Sequence, residues 1–132
     1  MSAPGKELDF HIMKLVKDLS EPEVYARKHA AWTLARMAQK GHAGAIVSCR
    51  GVPALAKCLG DGEAIVRGRA LWALHMLAKN GEGDAILQAA VTRRLEEMAS
   101  DNAEIEITHS GSSEIKRVTI AELASELQNT LR

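Results

Sequence analysis

Aromatic residues make up only 3% of this 132-residue chain, although 46% of its residues are hydrophobic. The apolar side chains are therefore mostly Ala, Leu, Ile, Val and Met, which suit closely packed helices better than sheets. A net charge is also missing, because seventeen basic residues balance seventeen acidic ones. Without it, the long-range attraction for nucleic acid or an anionic membrane is absent. We expect a soluble all-α protein that binds neither.

Residues suited to redox or metal chemistry are few and scattered. Cys49 and Cys58 form no CxxC motif or Cys/His cluster, so the sequence favours two small buried hydrophobes over a disulfide framework or a metal site. The five histidines include no pair at i and i+4 beside a carboxylate. A nucleophile elbow and a phosphate-binding glycine loop are also missing. We predict no catalytic residue, no metal and no cofactor, and therefore no enzyme.

Long apolar runs are absent from the sequence too. Lys14 and Lys17 interrupt the first helical segment, which leaves no stretch of the length that a signal peptide or a membrane span needs. The length is typical of one domain, so we take residues 1–132 as a single folded unit. The expected location is the cytoplasm, with the nucleus as the alternative.

The strongest pattern that is present is an internal repeat. A shift of forty positions superposes residues 21–60 on residues 61–100 without a gap and gives ten identities. The first members of the identical pairs are Glu23, Arg27, Ala30, Trp32, Leu34, Ala38, Gly41, Ala45, Ile46 and Leu55. A helical repeat of this period indicates a solenoid, whose units bury their faces only against their neighbours.

Capping residues mark the ends of one long helix in each copy. Ser20 and Glu23 form a predicted capping box at the start of the first long helix. Gly41 is expected to end this helix, and Gly81 the equivalent helix forty residues later, because glycine favours the left-handed conformation that follows many helices. The long helices should therefore lie at matching positions in both copies.

The segment between the long helices is predicted to hold two shorter ones. The pattern indicates a short helix over 43–50, a break at Gly51 and another helix over 52–59. Each unit is then a short, a medium and a long helix. The predicted units span residues 7–41, 42–81 and 82–132.

Three segments carry more specific signatures. Residues 51–59 read GVPALAKCL, and residues 30–38 and 70–78 read AAWTLARMA and ALWALHMLA. The first resembles the second helix of the armadillo repeat found in importin-α and β-catenin, and the other two resemble its third helix. This resemblance covers about residues 7–101 and implies a short right-handed armadillo-type α-solenoid of about three repeats. It also implies that the third-helix tryptophan lies on the concave face.

The long helices have a second face, opposite their apolar stripe. At about 100° per residue, Trp32 lies on the far side of its helix from Ala30 and Leu34, and Trp72 repeats this register. Large aromatic side chains away from the core are typical anchors of interfaces. We therefore predict a partner-binding face made of Lys28, Trp32, Arg36, Gln39, Gly68, Trp72, Met76 and Lys79.

The alternative interpretation is that each indole packs against a neighbouring unit, since tryptophan is usually well buried. The armadillo resemblance also implies an asparagine four residues after each tryptophan, which holds the backbone of a bound peptide. Arg36 and Met76 occupy these positions, and neither offers the two-way hydrogen bonding of an amide. This departure argues against the importin mode of peptide binding. Lys28 and Arg36 instead favour an acidic or aromatic-containing partner segment.

After Asp101 the forty-residue pattern fails, because about nine residues are inserted. The inserted stretch, about residues 103–114, alternates Ile105 and Ile107 with polar residues before a Ser/Gly turn. This alternation predicts a small two-stranded hairpin. It is either a lid over the exposed end of the solenoid or an edge that pairs with a second chain.

A final helix should follow the hairpin. Thr119 and Glu122 form a predicted capping box, and the helix is expected to run to about Leu131 and to cap the solenoid.

The leading functional hypothesis is a protein–protein interaction module that binds a polypeptide segment on the tryptophan-lined face. The competing hypothesis is a structural subunit that oligomerises, for example as a homodimer, through its solenoid ends and its hairpin.

Overall fold

The computed structural model describes residues 4–108 and 112–132. Within these ranges the chain forms eight α-helices and one antiparallel pair of strands, which confirms the predicted α-solenoid with a small hairpin insertion. The elements are α1 Pro4–Asp18, α2 Val24–Met37, α3 Ala43–Ser48, α4 Gly51–Cys58, α5 Ala64–Leu77, α6 Gly83–Gln88, α7 Thr92–Met98, β1 Glu104–Thr108, β2 Ile115–Thr119 and α8 Ile120–Leu131.

The long helices form the layer that organises the molecule. Helix α2 packs along α5, and α5 packs along α8, while α1, α4 and α7 each pack on one of these long helices. The core is mostly aliphatic, includes the fully buried Trp72, and is continuous from α1 to α8. Its fully buried members include Ile12, Leu34, Ile46, Leu55, Leu74, Ile86, Leu95 and Leu127.

The glycines at the ends of the long helices behave as predicted. Gly41 and Gly81 have φ values of 97° and 94°, in the left-handed region where a side chain is strained. They turn the chain from α2 into α3 and from α5 into α6. The capping box at Thr119 and Glu122 is also confirmed, because both of its reciprocal hydrogen bonds are present.

The capping box predicted at Ser20 and Glu23 is wrong. Helix α2 begins at Val24, and Glu23 precedes it in an extended conformation without a side-chain capping bond. The Ser20 hydroxyl instead donates to the carbonyl of Lys17 and closes the end of α1. A serine hydroxyl bonds whichever backbone group is near, and here the preceding helix offers the closer one.

The break between the short helices lies one residue earlier than predicted. Arg50 adopts the left-handed conformation, with φ of 63°, and Gly51 is already the first residue of α4. Glycine is required at position 51 for space, because an added Cβ would lie 2.5 Å from the side chain of Ile46. Helix α3 accordingly ends at Ser48, not at residue 50.

Two arginine–aspartate pairs link successive units, and the sequence analysis missed both. Arg27 donates to both carboxylate oxygens of Asp61, at 2.7 and 3.2 Å. Forty residues later, Arg67 donates to Asp101 at 3.2 and 3.3 Å. The signal was present, because both pairs have the same separation of thirty-four residues.

The first pair changes the acidity of its carboxyl group. Burial favours a higher pKa for Asp61, but hydrogen bonds from Arg27 and from the amide of Glu63, together with the charges of Arg27 and Arg67, lower that pKa overall. The carboxylate is thus held charged at the junction of two units.

The cysteines are free, as the sequence predicts. Cys58 is buried, and its thiol lies 3.5 Å from the carbonyl of Leu19. Burial raises the pKa of this thiol to about 11. Cys49 is only half-buried, so the expected burial holds fully for Cys58 alone.

Candidate partner-binding face

The structure brings the predicted face together on two neighbouring helices. The rings of Trp32 on α2 and Trp72 on α5 lie with their centroids 4.9 Å apart and tilted by 58°. Farther along the same helices, the Gln39 amide nitrogen lies 3.5 Å from the sulfur of Met76. We call this surface the α2–α5 face, defined by Lys28, Trp32, Arg36, Gln39, Gly68, Trp72, Met76 and Lys79.

The two indoles have different environments. Trp72 is fully buried, whereas Trp32 is only partly buried. The guanidinium of Arg69 lies over the Trp32 ring, 4.9 Å from its centroid, and donates to the carbonyl of Lys28 at 3.1 Å. The cation–π contact at this face is therefore made within the chain, by a residue that the sequence analysis did not select.

The hairpin covers the α5 side of the face. Strands β1 and β2 pair from Glu104 opposite Thr119 to Thr108 opposite Ile115. A Cβ added at Gly68 would lie only 2.6 Å from the Ile105 side chain, so Ile105 packs directly on the bare backbone of α5. Lys28 stands at the equivalent position of α2, where a long side chain would fill this space. The missing side chain at Gly68 thus leaves the space that Ile105 of β1 occupies.

Arg36 and Gln39 hold the other end of β1. The Arg36 guanidinium donates to the Thr108 hydroxyl at 2.6 Å and to the Ser112 carbonyl at 3.1 Å. The Gln39 amide donates to the Thr108 backbone carbonyl at 2.8 Å. Position 36 holds no asparagine, but Arg36 and Gln39 together hydrogen-bond the side chain and the backbone of Thr108 in an extended strand.

The two lysines of the face remain at its edges. Lys28 is half-buried, with its ammonium 5.7 Å from the centroid of the Tyr25 ring, and that ring is itself 71% exposed. Lys79 is exposed near the end of α5. Cationic groups therefore border the part of the face that the hairpin leaves open.

The lid interpretation expected the hairpin to cover the end of the solenoid. The structure places it elsewhere. Strand β1 packs on α5 and β2 on α8, and residues at the end of β1 bond to α2. The insertion lies across the predicted binding face itself. Hydrogen bonds from Ile120 to the Ala103 carbonyl and from Ala121 to the Asp101 carbonyl fix its base.

Between α5, the hairpin and α8 lies an open cleft of about 450 Å³. It is lined by Trp72, His75, Lys79, Lys116 and Glu126, among others. Two buried nitrogens here, Nε1 of Trp72 and Nδ1 of His75, have no hydrogen-bond partner. Burial lowers the pKa of His75, the nearby Glu126 opposes this, and Lys79 adds to the lowering. The neutral imidazole of His75 is thus favoured in the folded chain.

Within the described ranges, no group of three or more His, Cys, Asp or Glu side chains is arranged to hold a metal ion.

Every helix in residues 4–108 and 112–132 is too short or too polar to span a lipid bilayer.

Comparison with protein families relates this geometry to known sequences. Residues 6–130 match the family described as non-SMC mitotic condensation complex subunit 1. The chain belongs to this family. The family is one of helical repeats related to both armadillo and HEAT solenoids, so the match supports a helical repeat without singling out the armadillo type. Such repeats are typical of protein-interaction and scaffold modules.

Solved structures support the same fold. Two engineered proteins from the Northeast Structural Genomics Consortium superpose on the chain with TM-scores of 0.72 and 0.73. The first is 27% identical over 91% of this chain, and the second 24% identical over 98%. The chain spans 44% and 30% of their respective lengths. A search of curated proteins found no match.

Proposed function

We propose that the chain is a non-enzymatic binding module that holds an extended polypeptide segment on the α2–α5 face. The family description names a subunit of a mitotic condensation complex, which supports a role in a multisubunit assembly. It also favours a place near chromatin in the nucleus over the cytoplasm that the sequence analysis expected. The chain then contributes surface and rigidity to its complex.

One observation carries this proposal. The α2–α5 face already accommodates an extended strand, with an aliphatic side chain seated on Gly68 and a backbone carbonyl bonded to Gln39. Backbone bonds combined with pockets for alternate side chains are a general mode of peptide recognition. The half-buried Trp32 supplies an aromatic anchor beside this strand.

Selection from a random peptide library displayed on phage tests the proposal. Peptides selected by the wild-type chain should lose binding to a Lys28→Glu variant, because Lys28 borders the open part of the face. Lys57→Glu is the matched control, since Lys57 is exposed on α4. It should leave binding unchanged.

Two results count against the proposal. One is a selection that enriches no peptide. The other is a set of peptides that bind Lys28→Glu as tightly as wild type, which would place the binding surface elsewhere.

A second candidate function is self-assembly through the hairpin. Ile115 on β2 is 58% exposed, and the edge of β2 away from β1 pairs with no other strand within residues 4–108 and 112–132. Unprotected strand edges are common sites of pairing between chains. Light scattering decides this: a dimer that Ile115→Asp dissociates supports assembly, and a monomer at all concentrations removes it.

A further inference from the structure

The strand β1 occupies the α2–α5 face in the manner of a ligand. Its side chains alternate, so Ile105 and Ile107 are buried while Glu104 and Glu106 are exposed. The polar contacts of Thr108 follow at its end. The strand therefore shows which peptide chemistry this face accepts.

We propose that β1 is a displaceable internal ligand, and that the partner segment is an extended acidic–aliphatic strand of the same pattern, which takes its place. The inference rests on the proposed function and specifies it. It names the pattern as acidic and β-branched residues in alternation, followed by a residue with a hydroxyl group.

Charge complementarity supports the acidic part of the pattern. Arg69 lies in the groove beside β1 with Glu104 and Glu106, and Glu106 acts electrostatically on its guanidinium. Burial lowers the pKa of Arg69, and Glu106 opposes this. A partner strand with carboxylates at these positions would meet the same half-buried cation, and also Arg117 of β2, which lies 3.8 Å from Glu104 and 3.7 Å from Glu106.

The fit of β1 is incomplete, which makes exchange feasible. Trp72 lines the cleft beside β1, and its Nε1–H is buried without an acceptor. Such a group costs free energy that a partner with a well-placed carbonyl would recover. Strand β2 contributes little to holding β1 on the face, because only Val118 of its five residues is buried. A two-stranded hairpin is marginal on its own.

A labelled peptide with the sequence of residues 103–108, AEIEIT, tests this by fluorescence anisotropy against the full chain. A variant with Ile105→Ser and Ile107→Ser weakens β1 and leaves the face intact. It should bind the peptide at least about tenfold more tightly than wild type, because a tethered competitor is removed. Ile115→Ser, which changes an exposed isoleucine on β2, should bind as wild type does.

Two further arms locate the binding. Adding Gly68→Ala to the double variant should abolish binding, because its methyl group blocks the seat of the first isoleucine. The charge-swapped peptide AKIKIT should bind more weakly than AEIEIT. Thr108→Val removes the hydroxyl that accepts from Arg36 and donates to Gln39. It should raise the affinity by less than the double variant, and it provides the test if the double variant does not fold.

The outcomes separate this inference from the proposed function. If library peptides of another pattern bind in a Lys28-dependent way while AEIEIT binds no variant, the inference fails and the proposed function stands. If binding of AEIEIT is equal in wild type and both weakened variants, β1 does not compete and the inference fails. A wild-type dimer that Ile107→Ser dissociates would assign the face to a second copy of the chain and overturn it too.

Discussion

Helices α2 and α5 hold equivalent places in the repeat, yet they have different surroundings. Four residues of α2 are buried, compared with ten of α5, although each helix has fourteen residues. The excess includes Gly68, Trp72 and Met76, three residues of the α2–α5 face. The repeat sets the register of a side chain, but the neighbouring elements, here α8 and the inserted hairpin, decide whether that side chain is covered.

The residue at position 28 or 68 contributes to this difference, together with helix α8, which packs on α5. A lysine at position 28 keeps the α2 side of the face open and charged. Glycine at position 68 removes even the Cβ, which allows Ile105 to contact the helix backbone. Glycine at position 68 therefore leaves space on α5 for a side chain of β1, whereas lysine at position 28 leaves no such space on α2.

Truncation of each tryptophan to alanine should give the largest difference in stability between a variant of α5 and a variant of α2. Trp72→Ala leaves a large cavity at a fully buried site and should lower the free energy of unfolding by about 3–5 kcal/mol. Trp32→Ala should cost about 1–2 kcal/mol, because its ring is only partly buried. Urea denaturation of both variants measures the difference. Equal costs would contradict the unequal covering of the two indoles.

The two arginine–aspartate pairs offer a second comparison. Asp61→Asn removes a carboxylate with short bonds to Arg27 and should cost about 1.5–3 kcal/mol. Asp101→Asn should cost less, since its bonds to Arg67 are longer and its side chain is more exposed. Thermal unfolding of both variants at pH 7 tests the order, and a larger loss for Asp101→Asn would contradict it.

The same pair predicts an acid-sensitive contribution to stability. The pKa of Asp61 is lowered on folding, so its stabilisation is present above the unfolded value of about 3.9 and is lost as the pH falls through the folded value. Wild type and Asp61→Asn should therefore converge in stability on acidification. Denaturation curves recorded between pH 6 and pH 2.5 measure this, and a constant difference would contradict it.

A smaller effect is expected from His75, whose equivalent on α2 is Ala35. Folding lowers the pKa of His75, so its neutral form is favoured in the folded chain. Stability should be full above the unfolded value of about 6.5 and should fall as the pH drops below it. His75→Ala, the residue of the matched position, should flatten the stability profile between pH 7.5 and pH 5.5. An unchanged slope would contradict this.

The sequence predicts those features that depend on local or periodic signals. The forty-residue repeat indicates the solenoid, and the glycine positions and the Thr119 capping box are confirmed. Strand alternation at Ile105 and Ile107 indicates the hairpin. Where the hairpin would lie was not predictable, because its anchor joins Arg36 to Thr108 across seventy-two residues. No local pattern encodes such a contact.

The leading interpretation missed the full burial of Trp72, whereas the alternative, that each indole packs against a neighbouring unit, anticipated it. Its angular position on α5 places it opposite Ala70, but that position did not indicate that Trp72 would be part of the buried core. The exchange of Lys28 for Gly68 was the available signal. This exchange can be interpreted only when the position of Ile105 above Gly68 is known.

The central claim is that β1 shields Trp72 by seating Ile105 on Gly68. Acrylamide quenching tests it in a Trp32→Phe chain, whose remaining tryptophan is Trp72. The account predicts weak quenching in this chain and several-fold stronger quenching after Gly68→Ala, with no change after Gly62→Ala, where an added Cβ meets nothing. Strong quenching from the start, or no response to Gly68→Ala, would contradict the account.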